Sequence, residues 1–213
     1  VIGNGVDIER FGRQLPPGIV RTLADRLGKR EGETFLVTAS RLVKKNAVDV
    51  CIEALAFLPA EVKLLVVGEG EDRHMLESLV ASRGLTSRVQ FVGFVPHEEL
   101  PAYFAVSDIF VRPSRSEGFG NAFIEAMASG LPVIATVVGG IPDFVVDKET
   151  GLFCLTDDPQ DVARKAIMLM RDRALRADII RNARMMVQER YHWDIIAERM
   201  NSEVFSHALL LTK

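Results

Sequence analysis

The chain has 213 residues, 48% of them hydrophobic and 26% charged, with 26 Lys+Arg against 29 Asp+Glu and a formal net charge of −3. This is the make-up of an ordinary globular domain with room for a full core, and without a long basic block it excludes the positive face that nucleic-acid binding requires. The two cysteines, Cys51 and Cys154, stand far apart in apolar contexts, which predicts buried free thiols and no disulfide, and fits a cytoplasmic setting.

The chain begins with VIGNGVDIERF. Asn4-Gly5 is a turn signal, and Val1-Ile2 reads as the end of a strand whose partners lie elsewhere. A short helix from about Pro17 to Leu27 leads to a first buried strand, Thr34 to Ala39. That strand runs into Ser40-Arg-Leu-Val-Lys-Lys-Asn46 and a helix from about Ala47 to Leu58. Arg41, Lys44 and Lys45 in this loop suit a diphosphate, arginine as a two-pronged donor and lysine as a point charge. A solvated basic loop is the plainer alternative.

Val62 to Val67 is the second strand and ends in Gly68-Glu-Gly70. This is not a dinucleotide fingerprint. Arg73 occupies the place of its third glycine, and Arg88-Val-Gln-Phe91 stands where the ribose-binding acid belongs, some twenty residues on. A nicotinamide site is therefore disfavoured, and the glycines read as a tight turn into a helix from Glu71 to Arg83. The third strand, Val89 to Val92, leaves through Gly93-Phe-Val-Pro96, where the Phe94 side chain reads as core. His97 to Tyr103 opens the next helix.

Asp108 to Val111 is a fourth apolar run that stops at Pro113, since proline is excluded from a buried ladder. A loop with Gly118 and Gly120 follows, then helix formers from Asn121 to Ala128, the stop signals Gly130 and Pro132, and a strand from Val133 to Ala135. Strand, glycine loop, helix and strand make a βαβ unit. The first amides of a helix lack partners within it, and the macrodipole adds about half a positive charge there. The amides of Phe119, Gly120, Asn121 and Ala122 would point at a bound phosphate, with Gly118 and Gly120 allowing its approach. Glu117 and Glu125 flank the spot. A carboxylate repels phosphate but accepts from hydroxyls, which suggests the ribose and the sugar on either side of a diphosphate. A tight strand-to-helix loop with two solvated acids is the plainer alternative.

The longest chargeless run, Ala126 to Pro142, is broken by three glycines and two prolines and reads as helix end, strand and loop, not as a membrane span. Thr150 to Cys154 reads as the last strand. Asp157-Asp158-Pro159 caps a helix with Val162, Ala166, Ile167 and Met170 at helical spacing, and helical stretches of roughly 174–190 and 194–208 follow. Met168, Met170, Met185 and Met186 read as packing, and the scattered histidines predict no metal site.

The stretch PSRSEGFGNAFIEAMASGLPVIAT followed by GGIPD closely resembles the donor-site signature of retaining glycosyltransferases of the GT-B fold, family 4, in which seven residues separate two glutamates. Asp143 stands where that family usually has Glu. The resemblance implies that Glu117 contacts hydroxyls of the transferred sugar and that Glu125 binds the ribose. The family's R-L-V-x-E-K-G loop carries its phosphate-binding arginine and lysine. Arg41 matches the arginine, but Asn46 stands in the lysine's place, so the role passes to Lys45, with Lys44 as the alternative. The family's V-x-F-x-G-F-V holds the base through main-chain groups, here those of Phe94 and Val95.

VIGNGVDIERF resembles the hinge between the family's two domains, with Gly3 where proline is usual, and Tyr191-His-Trp193-Asp resembles the entry to its last helix. The expected fold is α/β, a doubly wound parallel sheet of about six strands with helices on both faces, Rossmann-like and the C-terminal half of a GT-B fold. Residues 1–213 would form one donor-nucleotide-binding domain, 1–15 a hinge remnant and 192–213 a C-terminal helix, with the acceptor domain absent. The implied reaction is metal-independent, retaining transfer from a UDP-, GDP- or ADP-linked sugar to an acceptor hydroxyl, with no cofactor. Arg41, Lys45 and the helix amides would stabilise the departing diphosphate while Glu117 orients the sugar. Peripheral membrane contact of the whole enzyme stays open. A non-catalytic nucleotide-binding module and a Rossmann oxidoreductase are the alternatives.

Overall fold

The computed structural model describes residues 4–205, with side chains as far as Glu203. Val1-Ile2 and the end of the last expected helical stretch lie outside the described residues. Strands β1 (Thr34–Ala39), β2 (Val62–Val67), β3 (Val89–Gly93), β4 (Ile109–Arg112), β5 (Val133–Thr136) and β6 (Leu152–Cys154) form one six-stranded sheet in the order β3-β2-β1-β4-β5-β6. Every pairing is parallel. The chain winds outward from β1 to β3, returns to lay β4 beside β1, and winds the other way. The doubly wound sheet expected from the sequence is borne out, with its switch point between β1 and β4.

The strands are mostly apolar because both faces of the sheet are largely buried, with Lys63 and Gln90 among the exceptions. Side chains alternate across it, so Phe35, Val37, Phe110 and Val133 join one core while Leu36, Ile109, Val111 and Ile134 join the other. The first core is covered by α2 (Pro17–Arg26), α5 (Leu100–Ala105), α6 (Asn121–Ala128) and α8 (Arg173–Arg190), the second by α3 (Val48–Ala54), α4 (Arg73–Ser82) and α7 (Pro159–Arg171). Phe110 is fully buried, edge-on to Phe104 at 5.9 Å and to Phe123 at 5.2 Å. Truncating it to alanine would cost about 3–5 kcal/mol.

Several boundaries differ from the sequence reading, each for a local reason. The helix expected to Leu58 ends as α3 at Ala54 and tightens into a 3-10 turn, Leu55–Phe57. β6 starts at Leu152 because the buried Thr150 hydroxyl accepts from Val146 N and donates to Phe144 O, both at 2.8 Å, closing a turn outside the ladder. α5 starts at Leu100, with Pro101 in its first turn, where a missing N–H costs nothing. His97 is thereby left outside the helix. The Asp158 side chain caps α7 as expected, accepting from Asp161 N at 2.9 Å. The last stretch forms α9 (Trp193–Met200) and a π-helical turn.

The opening segment includes α1 (Ile8–Phe11) and is joined to the far end of the chain. Val6 forms a parallel bridge with His192 and donates to Tyr191 O at 2.7 Å. Gly5 lies flat against Trp193, where a Cβ would come within 2.6 Å of the indole. Cys51 and Cys154 are free and buried, and burial pushes the Cys154 thiol up to about 12. Among the described residues no helix is long and apolar enough to cross a membrane.

Candidate functional site

The loops that leave β1, β2 and β3 meet the start of α6 around a cleft of about 390 Å³ whose walls include Arg41, Gly68, Phe94, Val95, Leu100 and Ala122. This is the carboxyl edge of the sheet at its switch point, where doubly wound folds bind ligands. A cavity of about 500 Å³ between α2 and α5 contains none of the predicted site residues. The Phe94 side chain is a correction to the sequence reading. It is 77% exposed beside the cleft, not packed in the core, because the chain turns at Gly93 (φ +85°). The Gly68-Glu-Gly70 turn has its own reason: a Cβ at Gly68 would overlap Ser40 O, so the glycine lets the β2 exit lie on the β1 exit.

Gly120, with φ 84° and ψ 56°, sits at the N-cap of α6 and supplies no side-chain cap. Among the described residues the amides of Phe119, Gly120, Asn121 and Ala122 have no hydrogen-bond acceptor. Four free donors in a row at a helix start are the kind of group that anion recognition uses. Gly118 stands in open space, while Gly139 and Gly140 press on the loop from below. Gly140 N donates to Gly118 O at 2.9 Å, and a Cβ at Gly139 would overlap Glu117 O. The glycine pair after β5 thus supports the loop that leads into α6, a role its sequence position did not reveal.

Both acids are braced from within. Glu117 is paired with Arg112 Nη2 and accepts from Gly118 N at 3.0 Å. Arg112 is 5% exposed, donates to Ala39 O at 3.2 Å and stacks on Phe123 at 4.5 Å, leaving Nε without a partner. Burial holds its guanidinium below the usual arginine range, with the Glu117 charge opposing. The sequence reading ended the strand at Val111 and gave Arg112 no role. A charged residue closing a buried strand, with an acid shortly after it, was the available signal. Glu125 meets His97, with Nε2 at 2.9 Å from Oε1.

Arg41 lines the cleft at the start of a basic loop. Lys44–Asn46 form a 3-10 turn that ends at Ala47 in the left-handed region, φ 53°. Asn46, in the lysine's place of the family pattern, is buried and donates to Arg41 O at 2.7 Å, so it shapes the loop from inside. Arg41, Lys44 and Lys45 are exposed, and none has an ion-pair partner among the described residues. Arg115, also missed from the sequence, ties the two walls together. Its guanidinium reaches Lys44 O at 2.6 Å, Asp49 at 2.7 and 3.0 Å and Asp157 at 2.6 Å, and its amide donates to Lys45 O at 2.8 Å. These carboxylates, Asp49 first, raise its pKa and hold it charged. Among the described residues no three His, Cys, Asp or Glu side chains gather to hold a metal ion.

Known proteins are similar in sequence and fold. Residues 20–186 match the family described as glycosyl transferases group 1. The chain is 34% identical over 179 residues to N-acetyl-alpha-D-glucosaminyl L-malate synthase of Bacillus anthracis, covering 83% of this chain and 46% of that protein. Its fold superposes on Anabaena HepE in complex with UDP-glucose with a TM-score of 0.90 and 28% identity, over 97% of this chain and 57% of that one. It also superposes on the C-terminal domain of the Francisella tularensis group 1 glycosyl transferase LpcC, TM-score 0.74 and 29% identity, over 89% of this chain and all of that domain. The chain spans about half the length of the curated relatives it matches. With its family matched over most of its length and its doubly wound half-fold reproduced in these structures, the chain belongs to the glycosyl transferases group 1.

Proposed function

We propose that this chain binds a nucleotide-sugar and serves as the donor domain of a retaining, metal-independent glycosyltransferase. The observation that carries the reading is the meeting of four α6 amides and the loop of Arg41, Lys44 and Lys45 at one end of the sheet, none of these amides and side-chain cations with a partner among the described residues. A diphosphate between them would have its charge met from both sides without a metal. As the bond from the anomeric carbon to the diphosphate breaks, negative charge grows on the leaving oxygen, and Arg41, Lys45 and the amides of Phe119, Gly120, Asn121 and Ala122 stabilise it. Glu117, held by Arg112, accepts from hydroxyls of the sugar. Glu125 accepts from the ribose. Main-chain groups of Phe94 and Val95 hold the base beside the cleft.

The acceptor belongs on the other half of the longer relatives, with residues 4–15 as part of the hinge towards it. Two buried free thiols support a cytoplasmic setting. A bound donor with no acceptor opposite its anomeric carbon forgoes the proximity that removes several kcal/mol of such a barrier, so this chain alone would bind donor and hydrolyse it only slowly.

The test is calorimetric titration with UDP, GDP, ADP and NAD in the presence of a chelator. Binding of one nucleoside diphosphate under these conditions is expected. Binding of NAD alone, or a strict need for a divalent ion, would overturn the reading.

A further inference from the structure

We propose that His97 is a positioning residue for ribose recognition, acting through Glu125, and that Arg10 holds it in the required tautomer. The inference rests on the nucleotide reading above.

The imidazole bridges two charged groups. Its Nε2 lies 2.9 Å from Glu125 Oε1 and its Nδ1 lies 3.0 Å from Arg10 Nη1. A guanidinium carries donors only. Nδ1 must therefore accept, which puts the ring proton on Nε2, aimed at the carboxylate. Arg10 is itself steadied by Asp7 at 3.2 Å, and the imidazole leans on the Phe11 ring with centroids 5.1 Å apart. The chain Asp7–Arg10–His97–Glu125 thus runs from α1 to the second turn of α6.

This assigns each part a task. A carboxylate offers about four lone-pair sites. His97 engages Oε1 of Glu125, whereas Oε2 has no partner among the described residues and stays available to a ribose hydroxyl. A neutral imidazole fixes the carboxylate's orientation without cancelling its charge. A lysine there would cancel it and compete with the hydroxyls. The Glu125 side chain is only 13% exposed, so few orientations remain once one oxygen is held, and the pairing selects among them.

A ligand that lacks the ribose hydroxyls separates positioning from general support. The chain and its variants are titrated with whichever of UDP, GDP and ADP binds best, and with the 2′,3′-dideoxy form of the same nucleotide. His97→Ala is expected to weaken the ribonucleotide about tenfold and the dideoxy form by no more than about twofold. His97→Gln, whose amide N–H reaches towards Glu125, should recover most of the loss. Arg10→Ala should weaken only the ribonucleotide, by about threefold, because it frees the tautomer but leaves the donor in place. Equal losses on both ligands, or an unchanged His97→Ala beside a weakened Glu125→Gln, would overturn the positioning role while leaving the nucleotide site standing. If the wild-type chain binds none of the three nucleotides, the functional reading fails and takes this role with it. Because the His97 side chain is 52% exposed, its variants should fold, and thermal melts monitor this.

Discussion

The two walls of the cleft are built on opposite plans. On the α6 side each acid is anchored, Glu117 to a buried arginine and Glu125 to a histidine. On the β1 side Arg41, Lys44 and Lys45 have no ion-pair partner among the described residues, and the anchoring goes into the backbone of their loop through Asn46 and Arg115. Under the proposed function, the difference follows from what each wall would recognise. Hydroxyl groups are read by direction, so their acceptors need fixed geometry. A diphosphate is read by charge, so flexible cations on a stiff loop suffice.

The sharpest way to break this contrast is to remove an anchor. Arg112→Ala would leave the Glu117 carboxylate 12% exposed and unpaired, at an expected cost of about 3–5 kcal/mol in chemical denaturation. Replacing both partners, Arg112→Met with Glu117→Gln, should restore most of the stability but not the binding of a nucleotide-sugar. Glu125→Gln comes next. It keeps the shape and removes the charge, and calorimetry should show nucleoside diphosphate binding weaker by about 1–3 kcal/mol with the melting temperature unchanged. Unchanged affinity would mean that Glu125 does not meet the ribose.

Arg115→Ala attacks the tie between the walls. Its ion pairs are partly exposed, which tempers their worth, and a loss of about 1–2 kcal/mol in stability is expected. The smallest effects belong to the free cations. Arg41→Ala should leave stability within about 0.5 kcal/mol and weaken the diphosphate more than the bare nucleoside. Added salt should shrink the gap. Paired titrations of Lys44→Ala and Lys45→Ala identify the phosphate lysine. Loss in Lys44→Ala alone would move the role away from Lys45.

The contrast also explains what could be read from the sequence. Thr34–Ala39 and Val62–Val67 were legible to the residue because strands buried on both faces are dominated by apolar residues, here interrupted only by threonines and Lys63. The start of α6 was legible because Gly120, the helix formers after it and Gly130 are local signals. The anchors were not. Arg10 and His97 lie 87 positions apart, and His97 and Glu125 lie 28 apart, so no local pattern announces either contact. Phe94 misled for the reverse reason: an apolar residue after a buried strand reads as core until the turn at Gly93 carries it to the rim.

The chain holds one tryptophan, Trp193, and it stands where the segment around Gly5 and Val6 meets the entry to α9. Its indole is half in solvent and half against the Gly5 backbone. Next to Gly5, the Asn4 amide donates to Asn121 Oδ1 at 3.2 Å, at the first residue of α6. The protein therefore carries its own optical probe at the joint, one residue from a contact with the helix whose amides are proposed to meet the diphosphate. Emission followed during a nucleotide titration reads whether occupation of those amides loosens or tightens the joint, with no label added.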